Sequence, residues 1–423
     1  MHDLRLVREQ LDVLRDGFGR RGALDTLGPV LDRLESLEKE RRALITATEE
    51  RKARRNLLTQ DVARLKKAKE DAERVMAEAR AVGEEIARLE ADLRATEGVV
   101  EGLMLELPNV TRAEVPAGDE SHNAIVSNWG TPRPDGVRPH WDVAADHGLI
   151  DLPRGAKISG SGFVVYRGLG ARIVRKLVDF MLDVHVREHG YEETWVPLVV
   201  NHASMVGTGQ FPKFEEDMYG LLHDEGYLVP TAEVPVTNLY RDEILDAHDV
   251  PRGFCAYSAC FRREAGAAGK DTRGLLRVHQ FDKVELVRYA RPEESDAELE
   301  TLTRHAEAIL ERLELPYRRV LLAAGDTGFS SSKTYDLEVW APGVGKWLEV
   351  SSCSNFGDFQ ARRANIRFRP AAGEKPRFIH TLNGSGLALP RVIAALLEHG
   401  QQPDGSVRLP AALVPYLGTD RIG

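Results

Sequence analysis

Apolar residues recur through the first quarter of the chain at alternating spacings of four and three. From residue 75 they are Val75, Ala79, Val82, Ile86, Leu89, Leu93, Thr96, Val100, Leu103 and Leu107, with Thr96 the one polar member. That spacing is the seam of a coiled coil. Upstream, Val30, Leu34, Leu37 and Leu44 open a second seam, Arg51 and Arg55 interrupt it, and Leu58, Val62 and Leu65 resume it. Between the two seams Lys66-Lys67-Ala68-Lys69-Glu70-Asp71 is almost wholly polar and suits a chain reversal. The pattern predicts a long antiparallel helical hairpin, preceded by a short amphipathic helix that Gly22 and the Gly28-Pro29 pair close. Arms of about 40 residues would reach roughly 60 Å at ~1.5 Å per residue.

After Pro108 the texture changes. Residues 108 to 160 are rich in Gly, Pro, Asp and His, and short strand-like runs then alternate with helical stretches. The runs 193–200, 226–229, 254–264, 276–289, 334–339, 346–350 and 378–382 suit strands, and 170–189, 293–313 and 390–399 suit helices. The order is not a strict βαβ alternation, so an antiparallel sheet with flanking helices is expected rather than a doubly wound parallel one. The chain thus reads as α+β, with a hairpin domain over 1–108 and a second domain over 109–423.

Composition narrows the class without changing this picture. With 423 residues, 42% apolar and 29% charged, the chain has the make-up of a globular protein. No stretch approaches the ~20 apolar residues that span a bilayer. The opening MHDLRLVREQ lacks the regions of a signal peptide, so a cytoplasmic location and no membrane association are expected. Cys255, Cys260 and Cys353 offer neither a disulfide framework nor zinc-ligand spacing, and no zinc is expected.

The net charge of -9 argues against binding nucleic acid over the whole surface, but its distribution matters more. Residues 39 to 69 carry eleven Lys/Arg against four Asp/Glu, and residues 70 to 106 carry four against eleven. Two readings are open: the oppositely charged arms pair with each other, or Arg51, Lys52, Arg54 and Arg55 face outward toward phosphates.

Phosphate chemistry has no P-loop here, since Gly266-Ala267-Ala268-Gly269-Lys270 has the wrong spacing. The runs 254–264 and 276–289, joined by the loop at 265–274, read instead as a β-hairpin. Period-2 alternation puts Arg262 and Glu264 on one face of its first strand, and Phe281 and Glu285 on one face of its second. Such a surface could clamp a phosphate, stack a purine and hold an ammonium group; taken by itself it reads more readily as a salt-bridged sheet face over solvent. Similar groups recur in Thr231-Ala232-Glu233, in Glu349-Val350-Ser351-Ser352, and in Asn383-Gly384-Ser385-Gly386, read as opening the last helix with Arg391 just beyond.

Together these segments resemble the catalytic domain of class II aminoacyl-tRNA synthetases, and within that class the seryl-tRNA synthetases. The helix and strand over about 170–200 look like motif 1. Phe261-Arg262-Arg263-Glu264 with Arg277-Val278-His279-Gln280-Phe281, within about 254–289, looks like motif 2. Gly384-Ser385-Gly386-Leu387-Ala388-Leu389-Pro390-Arg391, within about 378–399, looks like motif 3. The helical hairpin, Thr231-Ala232-Glu233 and the run EVSSCSNFGD from Glu349 to Asp358 single out the serine enzymes.

The resemblance implies ATP-dependent activation of L-serine and its transfer to tRNA(Ser), with tRNA(Sec) a second candidate, by a homodimer using Mg²⁺. It implies catalytic roles for Arg262, Glu349 and Arg391, and a serine pocket of Thr231, Ala232, Glu233, Arg262, Glu285, Asn383 and Ser385. It implies an ATP site of Arg262, Arg263, Glu264, Val278, Phe281, Glu349, Val350, Ser351, Ser352 and Arg391. Glu349 and Ser352 would hold the metal, yet a straight strand faces Glu349 with Ser351, so that pairing requires a bulge. Arg51, Lys52, Arg54 and Arg55 would contact the tRNA. Gly209-Gln210-Phe211-Pro212 matches a mobile loop of the family. A carrier-protein ligase keeps such an adenylation site but normally lacks the long hairpin. A silent RNA-binding paralogue would be expected to lose motif residues that are all present here.

Overall fold

The computed structural model describes residues 1–265 and 273–423, so most of the loop expected at 265–274 lies outside the described residues. The chain divides into two compact units, His2–Leu107 and Pro108–Gly423.

In the first unit, two short helices, Leu4–Glu9 and Leu11–Arg20, pack on the start of α1 (Leu24–Ala68), which reverses into α2 (Glu73–Glu106). Lys69 ends α1 in the left-handed region at φ 57°, and the Asp71 side chain accepts from the Glu73 amide at 2.8 Å to open α2. The reversal therefore falls in the polar stretch that the pattern marked. Each seam position from Val75 to Leu103 is buried or half-buried, and Leu58, Val82 and Ile86 form a cluster with Val75 and Ala79.

One expectation fails here: Gly28-Pro29 closes nothing, because α1 begins at Leu24 and runs through both residues. Proline removes a bond to the carbonyl four residues back and crowds it. That carbonyl belongs to Asp25, in the first turn, where the helix can splay at little cost. The fully buried Leu31 and Leu34 just beyond hold the segment helical by packing.

The second unit is built on an eight-stranded sheet. Its strands in chain order are β1 (Ala124–Trp129), β2 (Glu192–Glu193), β3 (Arg252–Phe261), β4 (Gln280–Ala290), β5 (Tyr317–Leu321), β6 (Lys333–Ala341), β7 (Lys346–Gly357) and β8 (His380–Ala388). In the sheet they lie in the order β1-β5-β6-β7-β8-β4-β3-β2, antiparallel throughout except for β2 beside β3. Helices α3 (Leu169–Arg187), α4 (Ser295–Arg312) and α5 (Leu389–His399) cover one face, where Val284 and Leu286 of β4 join their apolar residues in the main core. By the two-residue period, Phe281, Lys283 and Glu285 stand on the other face. This is the antiparallel α+β architecture that the pattern predicts.

Four local expectations are corrected. The run 193–200 is not one strand: Glu192–Glu193 joins the main sheet, Val199–Val200 pairs with Tyr227–Leu228, and Pro197 between them cannot donate to a ladder. Arg262 and Glu264 do not share a strand face, because β3 stops at Phe261. The Arg263 amide donates to the Asp217 carbonyl at 2.9 Å, and Glu264 turns into the left-handed region at φ 54°. The second hairpin strand starts at Gln280 rather than at residue 276. Finally, Asn383-Gly384-Ser385-Gly386 lies inside β8, and the helix it was read as opening begins only at Leu389, with Pro390 in its first turn and a further short helix, Val414–Leu417, beyond.

Candidate active site

A second apolar cluster, in which Ala232, Ala361 and Phe368 pack on Val287 and Tyr289, covers part of the other sheet face, and two adjoining chambers occupy the rest. The larger, of about 550 Å³, is lined among others by Thr231, Glu233, Arg262, Glu349, Ser352, Asn383 and Ser385. The smaller, of about 260 Å³, is lined by residues that include Val278, Phe281, Val350, Ala388 and Arg391. Arg262, Glu264, Arg277, Lys283, Glu349 and Ser385 border both.

Beside the larger chamber two carboxylates converge. Glu285 is fully buried; it accepts from the Thr231 hydroxyl at 3.1 Å and from Asn383 Nδ2 at 3.1 Å, and it pairs with the Lys283 ammonium. Glu233 accepts from Asn383 Nδ2 at 2.8 Å and from Gln360 Nε2 at 2.7 Å. Burial first, and the charge of Glu285 second, push the Glu233 carboxyl up to about 7. With Glu285 paired to Lys283, Glu233 when ionised is the buried charge left without a cation, which suits a cationic ligand group.

The positions of these residues follow from backbone irregularities. Ser385 lies opposite Glu285 on the neighbouring strand, and a bulge at Gly386 then sends Leu387 into the core. A side chain at Gly386 would meet His185 Nε2 at 2.7 Å, and one at Gly384 would meet Leu302 at 2.4 Å. The Gly-Ser-Gly spacing is thus set by close packing of β8 on the helices. On β7 the register shifts between Glu349 and Ser351, so that Glu349 lies opposite Glu338 and Ser352 opposite Asp336. The bulge required to bring Glu349 and Ser352 to one face is present, and both line the larger chamber.

Around the smaller chamber, the Arg262 guanidinium lies 5.1 Å from the Phe281 ring centroid, and its Nε donates to the Pro230 carbonyl at 3.4 Å. Arg391 donates to the carbonyls of Glu349 at 2.8 Å and Leu276 at 3.1 Å, and it faces the Glu349 carboxylate at 3.5 Å. Glu264 is paired with Arg277. Phe281 and Arg391 both line this chamber, an aromatic ring and a guanidinium of the kinds that stack on an aromatic base.

Four expected residues stand away from the chamber walls, Glu285 among them, fully buried behind Thr231 and Asn383. Ala232 is packed in the second apolar cluster, Ser351 is buried and donates to the Ser385 carbonyl at 2.6 Å, and Arg263 is exposed. Conversely, Lys283, Gln360 and Arg277 belong to the site although none was assigned a role in it. Gln360 is fully buried, bonded to Glu233, to the Thr208 carbonyl at 3.2 Å and to the Thr381 hydroxyl at 2.7 Å. Lys283 left a signal in sharing the parity of Phe281 and Glu285, and Arg277 in opening the second motif 2 segment; Gln360 left none. Gly209 and Gln210 also line the larger chamber.

The donors near Glu349 suit a hard divalent cation. Among the described residues, Asp336 Oδ1 is buried with no hydrogen-bond partner, and burial with the neighbouring Glu349 charge holds the Asp336 carboxyl well above the usual carboxylate range. Oxygen ligands are therefore in excess and mutually repelling, the condition that such an ion relieves.

In the first unit, the basic residues singled out by sequence divide. Arg51 pairs with Glu85 at 2.8 Å, Lys52 with Glu90 at 3.2 Å and Arg54 with Glu78 at 2.5 Å, all across the seam. Arg55 is exposed and joins none of these pairs. No helix among the described residues is long and apolar enough to cross a membrane.

Known proteins resemble the chain along its whole length. A family model described as Seryl-tRNA synthetase N-terminal domain matches residues 1–111, and one described as tRNA synthetase class II core domain (G, H, P, S and T) matches residues 215–400. A serine–tRNA ligase of Gemmatimonas aurantiaca is 69% identical over 420 residues, 99% of each chain, and one of Geobacillus kaustophilus is 54% identical over 421 residues, again 99% of each. A crystal structure of seryl-tRNA synthetase from Pyrococcus horikoshii complexed with ATP superposes with a TM-score of 0.95 at 36% identity, covering 100% of this chain and 99% of that one.

Proposed function

Since the chain belongs to the seryl-tRNA synthetase family of class II aminoacyl-tRNA synthetases, we propose that it activates L-serine with ATP to seryl-adenylate and transfers the seryl group to tRNA(Ser). The observation that carries the reading is the pair Glu233 and Glu285, buried beside one chamber with Thr231 and Asn383 and joined through Arg262 to a chamber lined by Phe281 and Arg391. An amino acid and a nucleotide can lie end to end there.

In this reading Glu233 and Glu285 receive the serine ammonium, while Thr231, Asn383 and Ser385 supply polar partners around its hydroxyl. A pocket that must hydrogen-bond a hydroxyl rejects an analogue without one by ~10⁴ or more, which disfavours alanine. Phe281 and Arg391 sandwich the adenine, and Glu264 meets its amino group on leaving Arg277. Arg262, at the border of the chambers, contacts the serine carboxylate and the α-phosphate together. A carboxylate oxygen attacks the α-phosphorus, the bond to the bridging oxygen breaks, and pyrophosphate leaves with the electron pair. No protein nucleophile takes part; positioning and charge neutralisation carry the step. Glu349 and Ser352 would hold Mg²⁺, which would supply positive charge to the phosphates.

The hairpin unit acts on the tRNA, with Arg55 the most available of the four basic candidates and Arg51, Lys52 and Arg54 able to exchange a carboxylate for a phosphate. The enzyme works as a homodimer in the cytoplasm. ATP–pyrophosphate exchange with serine, alanine, threonine and glycine, followed by charging of tRNA(Ser) and tRNA(Sec), tests the reading. Serine-selective exchange with charging of tRNA(Ser) is expected. Exchange without charging would favour a ligase for another acceptor, and no exchange would refute the activity.

A further inference from the structure

Lys283 is a charged residue at the centre of the site for which the reaction just described has no use. Phe281, Lys283 and Glu285 share one face of β4, the first lining the smaller chamber, the second both, and the third bonded to Thr231 and Asn383 of the larger. Lys283 is 5% exposed, and its ammonium is paired with the fully buried Glu285. Its cross-strand neighbours, Ser258 on β3 and Ala388 on β8, are small and leave the stem room to swing.

On the function proposed above, Glu285 receives the serine ammonium, and it is the same carboxylate with which the Lys283 ammonium is paired. Glu285 also takes hydrogen bonds on both oxygens, so with Lys283 in place its acceptor sites are nearly filled and a second ammonium competes with the first. A buried lysine left without an anion is strongly disfavoured. Lys283, however, borders the junction of the chambers, where serine brings its own carboxylate and ATP its α-phosphate. We propose that Lys283 is a further catalytic residue: it holds the place of the substrate ammonium in the empty enzyme and, on serine binding, moves to the carboxylate and α-phosphate that react. The new carboxylate–phosphorus bond forms, the bond to pyrophosphate breaks, and the lysine charge, with that of Arg262, offsets the charge gathering on the α-phosphate oxygens.

The exchange predicts effects of opposite sign in one variant. Serinol, 2-amino-1,3-propanediol, has the ammonium and hydroxyl of serine but no carboxylate, so in the wild type it competes with Lys283 and offers nothing in return. In the full-length Lys283→Met enzyme, serine-dependent pyrophosphate exchange should fall about 10²-fold or more in kcat, the usual effect of deleting one charge-stabilising donor. Serinol should inhibit the residual reaction at least about tenfold more tightly than in the wild type. Lys283→Gln, which keeps a neutral hydrogen bond to Glu285, is measured beside it, with thermal melting of both. Exchange within about threefold of wild type would overturn the proposal, as would loss of activity with weaker serinol binding, which assigns the lysine a purely structural role. Absence of serine-dependent exchange in the wild type would instead refute the underlying function.

Discussion

Glu233 carries the clearest electrostatic signature in the site, a carboxyl raised to about 7 by burial and the nearby Glu285. In the free enzyme it is protonated below that pH, and a neutral acid does not attract an ammonium. kcat/KM for serine, which reports free-enzyme ionisations, should therefore fall as the pH drops through about 7 and level above it. Glu233→Gln should flatten that limb as well as lower the plateau; an unchanged limb would assign it to another group. The effect on folding runs the opposite way. Between the ordinary carboxyl value of 4.5 and about 7 the folded chain holds a proton that the unfolded chain has lost, so this group's contribution to stability declines as the pH rises across that window. Much of the residue chemistry was legible, because acids, hydroxyls and arginines in the order of a family motif announce themselves. Gln360 was not legible: a lone glutamine has no period and no spacing, and its role appears only when the helix Phe359–Ala364 brings it to Glu233.

At the scale of elements, the hairpin was readable because its seam is a repeat of spacing. What the seam could not tell was how charges would be divided, since interhelical pairing depends on register. Three of the four candidate basic residues face carboxylates of the opposite arm at side-chain exposures of 36% to 52%. Exposed, solvent-screened pairs of this kind contribute little, so apolar packing holds the arms together. Leu58→Ala, which empties the cluster with Val82 and Ile86, should destabilise the hairpin by about 2–4 kcal/mol, seen as earlier loss of helical signal on heating. Pyrophosphate exchange should be unaffected, and a matching loss of exchange would show that the arm is needed for the first half-reaction. Within the sheet, alternation located β4 and its chemical face, but the end of β3 and the strand character of Asn383-Gly384-Ser385-Gly386 escaped. Gly-rich runs look alike in a turn and in a bulged strand, and only contacts with His185 and Leu302 decide between them.

For the whole molecule, the chain divides between Leu107 and Pro108 into two units. Chain length and composition foreshadow two bodies, whereas the order of the strands follows from pairings between segments far apart in sequence. The strands Ala124–Trp129 and Tyr317–Leu321, paired with each other at one edge, carry no alternation strong enough to be read beforehand. A division of labour between the units has a direct consequence. Removal of residues 35–100 should spare adenylate formation and abolish charging of tRNA(Ser), and unimpaired charging by the truncated chain would refute a role for the hairpin in tRNA binding.

All of this rests on serine being activated over Glu285. The decisive measurement is serine-dependent ATP–pyrophosphate exchange in the wild type and in Glu285→Ala, with thermal melting and ATP binding followed in both. Serine-selective exchange that disappears in a variant still folded and still able to bind ATP is the expected result; normal exchange in Glu285→Ala would contradict it.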